Sequence, residues 1–113
     1  MVKNVEDVKG IKLIAQKVSL SSDEMRQLAD DTMSELESGV IVFAAPINDR
    51  CQVIARVSDD MINKGIKAND IIKAIAPIIG GGGGGKAHFA QAGGKAPDKI
   101  AEALLTVKTL LSP

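Results

Sequence analysis

The sequence predicts an α/β fold, a mixed sheet with helices packed on it, in the order β-α-β-β-α-β-α. Three stretches carry that prediction. Residues 21–39 have a helix-start signal followed by apolar residues at helical spacing. Residues 40–57 hold a continuous apolar run, a turn signal and an alternating run. Residues 68–79 place isoleucines on one helical stripe.

Taken in order, residues 1–10 are polar and without periodicity, and are expected to be a frayed N-terminal segment. Ile11 to Leu20 reads as a strand with Leu13, Ala15 and Val18 partly buried. Ser21-Ser22-Asp23-Glu24 matches a capping box, in which serine and glutamate satisfy each other's backbone donors. Met25, Leu28, Ala29, Thr32, Met33 and Leu36 then repeat at helical spacing, and Gly39 is the expected stop. Val40 to Ile47 is apolar throughout, as in a strand covered on both faces, with Pro46 late enough to be tolerated. Asn48-Asp49 makes the turn into a second strand, with Cys51, Val53, Ala55 and Val57 on one face and Gln52, Arg56 and Ser58 on the other. A polar connection to Lys67 follows, with Gly65 expected at positive φ. The helix at 68–79 carries Ile71, Ile72, Ile75, Ile78 and Ile79, and Pro77 should kink or end it. Ala87 to Ala92 reads as a short strand. Pro97 opens a last helix with Ile100, Ala101, Leu104, Leu105 and Lys108 on one flank.

A chain of 113 residues, 45% of them hydrophobic, is expected to form a single domain over 1–113 with its own core. The composition excludes several function classes. Two Phe, no Trp and no Tyr argue against a surface of stacking rings. Cys51 is the only cysteine, so internal disulfides and cysteine-based zinc sites are ruled out, and a reducing compartment is expected. No apolar run approaches the roughly 20 residues of a membrane span, and no signal peptide is visible. Net charge is zero, yet unevenly laid out. Residues 1–60 hold seven Lys or Arg against eleven Asp or Glu, whereas residues 61–113 hold seven against three. The second half would attract a polyanion.

That basic half contains the most informative segment, Gly80 to Gly85 followed by Lys86, His88, Gln91, Gly93 and Gly94. Each glycine in regular structure costs roughly 0.5–1 kcal/mol relative to alanine. Bare backbone that a large ligand can approach, with N–H groups free for phosphate or sugar oxygens, offsets that cost; a flexible linker is the plainer alternative. The segment superficially matches a nucleotide-binding P-loop. Ala87, however, lacks the hydroxyl that holds magnesium, and the preceding element reads as helix where that motif needs a strand. His88 has no clustered histidines or cysteines around it, so no metal site is expected. It is read either as a donor to phosphate or a nucleotide edge or as a satisfied structural histidine. Gln91 likewise either fixes strand backbone or donates to a nucleotide. Lys86, Lys95 and Lys99 bracket the glycines, and Lys64 and Lys67 precede the neighbouring helix, together forming a phosphate-facing patch. Cys51 has the parity of a core residue.

Val40-Ile41-Val42-Phe43, the hairpin, Val57-Ser58, Gly65-x-Lys67-Ala68 and the run from Gly80 to Gly94 resemble the C-terminal domain of alanyl-tRNA synthetase, of the DHHA1 group. The resemblance covers about Ile11 to the end, and Ala90-Gln91-Ala92-Gly93-Gly94 after six glycines is its most specific part. Ala87 and His88 depart mildly from the usual proline and acid at those positions. The resemblance implies a DHHA1-like fold and a C-terminal fragment of a larger synthetase. It implies a fragment that is not itself an enzyme, within a parent that ligates alanine to tRNA using ATP, with Mg and Zn. The implied role is to hold the outer corner of tRNA(Ala), linking the aminoacylation and editing domains, and to contribute to a homodimer. The implied setting is cytoplasmic. The expected nucleic-acid-binding residues are Gly81, Gly82, Gly83, Gly84, Gly85, Lys86, His88, Gln91, Gly93, Gly94, Lys95, Lys64 and Lys67, with no catalytic residue and no cofactor in this domain. The alternative reading is the substrate-clamping domain of a DHH-type phosphoesterase acting on oligonucleotides. In those enzymes a histidine follows the glycines directly, whereas Lys86 and Ala87 intervene here.

Overall fold

A computed structural model describes residues 5–111. Its elements are β1 (Glu6–Val8), β2 (Ile11–Lys17), α1 (Ser22–Leu36), β3 (Val40–Ile47), β4 (Arg50–Val57), α2 (Asp59–Asn63), α3 (Ala68–Ile75), β5 (Gly82–Gly85), β6 (Phe89–Gly94) and α4 (Ile100–Leu111), the last entered through a 3₁₀ turn at Pro97–Lys99. Six strands form one sheet in the order β1-β2-β3-β4-β6-β5, in which β2 and β3 are parallel and every other pair is antiparallel. The expected mixed α/β sheet is therefore present, with three elements beyond those read from the sequence.

The first addition departs from the expected frayed segment over residues 6–10, while the first four residues of that segment lie outside the described residues. Glu6–Val8 pairs antiparallel with Ile11–Leu13, turned by Lys9 and Gly10, both at positive φ, and Gly10 N–H donates to Asp7 Oδ1 at 2.7 Å. The second is α2, a short helix inside the supposed polar connection; Gly65 follows it at φ 95°. The third is β5, where glycine itself is the strand.

Helix α1 forms as its sequence dictates. Ser21 is the N-cap, its Oγ accepts from Glu24 N–H, and Glu24 Oε1 accepts from Ser21 N–H at 3.0 Å. Such a cap contributes about 1 kcal/mol. The same bonds hold the Glu24 carboxyl below its ordinary pKa. The helix stops earlier than Gly39: Glu37 takes φ 67° and its N–H bonds Met33 O. Gly39 answers a different need, since a Cβ there would stand 2.4 Å from the Lys12 carbonyl oxygen.

The sheet separates two cores. Val40, Val42 and Ala44 of β3 and Cys51, Val53, Ala55 and Val57 of β4 face α3 and α4, whereas Ile41, Phe43, Ala45 and Ile54 face α1. Alternation along an all-apolar strand explains this, because successive side chains go to opposite faces and both are covered. Helix α3 ends at Ile75, ahead of Pro77, and buries Ile71, Ile72 and Ile75. In α4 the buried stripe is Ile100, Ala103, Val107 and Leu111; Ala101 is exposed and Leu105 is 62% exposed, so the expected flank is corrected in phase. Ser58 is buried and serves a backbone need: its Oγ accepts from Gly39 N–H at 2.9 Å and donates to Asp60 Oδ1 at 2.5 Å.

One consequence of this layering positions the site. Helix α1 packs mainly on β3 and β4 and reaches β6 at Phe89, so among the described residues the glycine-bearing part of β6 and β5 is left without a helix packed closely on that side.

Candidate nucleic-acid interface

Strand β5 is the last strand of the sheet and consists of Gly82–Gly85. The glycines of this segment fall into two classes by what an added Cβ would meet. At Gly81 it would lie 1.8 Å from Gly93 O, at Gly83 2.2 Å from Gln91 O, and at Gly85 2.6 Å from Ala90 Cα. These residues are turned against the backbone of β6, and no side chain fits there. Gly94 is also spoken for: it is buried, and a Cβ would stand 2.3 Å from Ile79 O. At Gly82 and Gly84 a Cβ would meet nothing within 4 Å, and at Gly93 nothing nearer than 3.9 Å. None of those three has a positive φ. The fold does not require glycine at these three positions.

The register puts the three together. Gly82 pairs with Gly93 and Gly84 with Gln91, so on the face left open beside α1 these two strands present three glycines and the exposed Gln91. The hairpin closes with Lys86 N–H donating to Phe89 O at 2.8 Å. Alternation of hydrogen-bonded pairs then continues through Gly84–Gln91 and Gly82–Gly93, which turns the N–H and C=O of exposed Gly83 and Gly85 toward the outer edge. The result is a strip bare of side chains except Gln91, with backbone donors along its rim.

Two hollows flank the strip. One, of about 250 Å³, is lined by Gly84, Gly85, Lys86, His88 and Gln91 together with Arg26 and Phe89. The other, of about 420 Å³, is lined by Gly82, Gly93 and Gly94 with Arg50, Gln52 and the β3–β4 turn. The side chains of Lys86 and His88 are exposed, while the His88 carbonyl is fixed by Val57 N–H at 3.0 Å. Lys67 is brought alongside, because Ala68 N–H donates to Ala87 O at 2.8 Å. Lys95 stands at the opposite end of the hairpin, beside Gly80. Lys64, past α2, lines neither hollow.

Arg26, Phe89, Arg50 and Gln52 are site-lining residues that the sequence did not disclose. The Arg26 guanidinium lies 4.5 Å from the centre of the Phe89 ring, across from helix α1 to strand β6. Only the pairing of those elements reveals it. Arg56 is less available, since Nε pairs with Asp30 at 3.3 Å and Nη1 donates to Val57 O. Among the described residues no three His, Cys, Asp or Glu side chains gather as metal ligands. Nor, among them, is any helix long and apolar enough to cross a membrane. The arrangement suits contact with backbone and shape. The Cys51 thiol is buried and its pKa is raised by that burial.

Comparison with known proteins agrees with this fold. The DHHA1 domain matches residues 10–112. The alanine–tRNA ligase of Pediococcus pentosaceus is 47% identical over 106 residues, which cover 93% of this chain and 12% of that protein. That of Lactiplantibacillus plantarum is 48% identical over 101 residues, covering 88% and 12%. The chain thus spans about 12% of the length of these relatives. The crystal structure of the C-Ala domain from Aquifex aeolicus alanyl-tRNA synthetase matches with a TM-score of 0.89 at 33% identity, covering 96% of this chain and 98% of that one. A DHH domain from a member of the s1p family of ribosomal proteins matches at TM-score 0.61 and 21% identity, covering 97% of this chain and 29% of that one, a likeness of fold alone. The chain belongs to the DHHA1 domain family and is of the kind that forms the C-terminal domain of alanyl-tRNA synthetase.

Proposed function

We propose that this domain docks the outer corner of tRNA(Ala) within an alanine–tRNA ligase, supporting aminoacylation and editing carried out elsewhere in the parent chain. The observation that carries the proposal is the glycine at 82, 84 and 93, where packing asks for none. A bare strip there lets a folded RNA lie against the backbone, and the rim amides of Gly83 and Gly85 meet phosphate or 2′-hydroxyl oxygens. Lys86, Lys67 and His88 at one end and Lys95 at the other supply donors and positive charge. ATP, Mg and Zn belong, on this reading, to other parts of the parent, which works in the cytoplasm and pairs as a homodimer through this domain and a helical segment before it. The relatives' name, alanine–tRNA ligase, supports the parent's activity. The phosphoesterase alternative rests on fold likeness at 21% identity.

The test is titration of the domain with folded tRNA and with a random RNA duplex across a salt series. Binding that prefers folded tRNA, with log affinity falling linearly as log salt rises, is the expected result. Equal affinity for both RNAs would remove the corner-docking claim.

A further inference from the structure

We infer that Arg26, stacked on Phe89, is a preset anchor for one phosphodiester of the bound RNA at the Lys86 end of the strip; the inference rests on the docking reading above. Three observations lead to it. The guanidinium sits 4.5 Å from the ring centre, and among the described residues no hydrogen bond or ion pair engages its N–H groups. A stacked arginine is fixed in orientation while its planar fork of donors stays free, which is the geometry that phosphate takes bidentately. The hollow it borders, about 250 Å³, falls below the roughly 300–1,000 Å³ of sites that enclose a free small molecule. It opens onto the strip through Gly84, Gly85 and Gln91. Its other charged or titratable walls are Lys86 and His88, and no carboxylate lines it.

Arginine rather than lysine is needed, because ammonium neither stacks in the same plane nor offers two parallel donors. Phe89 acts through Arg26 as a positioning residue.

The experiment measures tRNA affinity against salt for the unaltered domain, Arg26→Ala, Arg26→Lys, Phe89→Leu and Lys86→Ala, with circular dichroism confirming each fold. Arg26→Ala is expected to weaken binding about tenfold and to reduce the salt slope by about one, as loss of a single phosphate contact does. Arg26→Lys is expected to keep much of the slope yet recover less than half of the lost affinity on a logarithmic scale, and Phe89→Leu to weaken binding in the same direction. Should Lys86→Ala weaken binding while Arg26→Ala does not, the anchor is wrong and the docking reading stands. Weaker binding with an unchanged salt slope in Arg26→Ala would also overturn the phosphate contact. Absence of tRNA binding by the unaltered domain would remove both.

Discussion

Gly83 and Gly84 are neighbours with opposite reasons for being glycine. At Gly83 a methyl group would stand 2.5 Å from Ala92 Cα, inside the backbone of β6, whereas at Gly84 it would enter open space. Gly83→Ala should therefore force β5 away and destabilise the domain by about 1–3 kcal/mol. Gly84→Ala should change stability by less than about 0.5 kcal/mol while weakening tRNA binding. Denaturant midpoints and a binding titration on the two variants check both halves of the contrast. Counting glycines could not make this distinction, because an unbroken run has no visible parity until its partner strand is known. Ser58 carries a second expectation at this scale. Removing its hydroxyl leaves the Gly39 N–H buried without a partner, so Ser58→Ala is expected to cost about 1–3 kcal/mol in chemical denaturation.

Among the elements, those whose signals are local were legible in the sequence. The capping box starts α1, the apolar run makes β3, Asn48 turns into β4 at φ 56°, and Pro77 lies beyond the end of α3. Those decided by distant partners were not. Glu6–Val8 has no periodicity, and it is a strand because β2 offers an edge. Gly82–Gly85 has no side-chain pattern at all, and its pairing with β6 makes it a strand. The phase of α4 was misplaced because Leu105 is apolar yet exposed. At the junction of β3, β4 and α2, the hydroxyls of Ser38 and Ser58 both donate to Asp60 and hold its carboxyl below the usual range. A depressed folded pKa stabilises the protein above the unfolded value of about 3.9 and ceases to do so as pH falls through the folded value. Thermal melts should accordingly show the unaltered domain losing stability relative to Asp60→Asn on acidification below about pH 4, with the gap at its widest near neutrality. A gap that grew as pH fell would contradict this assignment.

For the whole molecule, the layering decides which face is open to the proposed RNA. Helix α1 carries exposed Asp23, Glu24, Asp31 and Glu35, while the uncovered β6–β5 face beside it carries glycines and is bordered by Arg26, Lys86 and His88. Charge of opposite sign on adjacent surfaces repels a polyanion from the helix and admits it to the strip, although the net charge is zero. The sequence showed that the basic half and the glycines coincide, but which face stays uncovered emerges only from the strand order. Lys86 lies exposed in the hairpin turn, so Lys86→Ala should weaken tRNA binding and leave the melting temperature within about 3 °C. A large drop in melting temperature would instead mark it as a structural lysine. The most direct test of the central claim follows backbone amide resonances of the isotopically labelled domain as folded tRNA is added. The signals of Gly82 to Lys86, Gln91 and Gly93 should shift or broaden first, with those of the outer face of α1 and of α4 unmoved. Unperturbed glycine signals, with changes gathered on α1 or α4, would contradict the proposal that the bare strip is where the RNA docks.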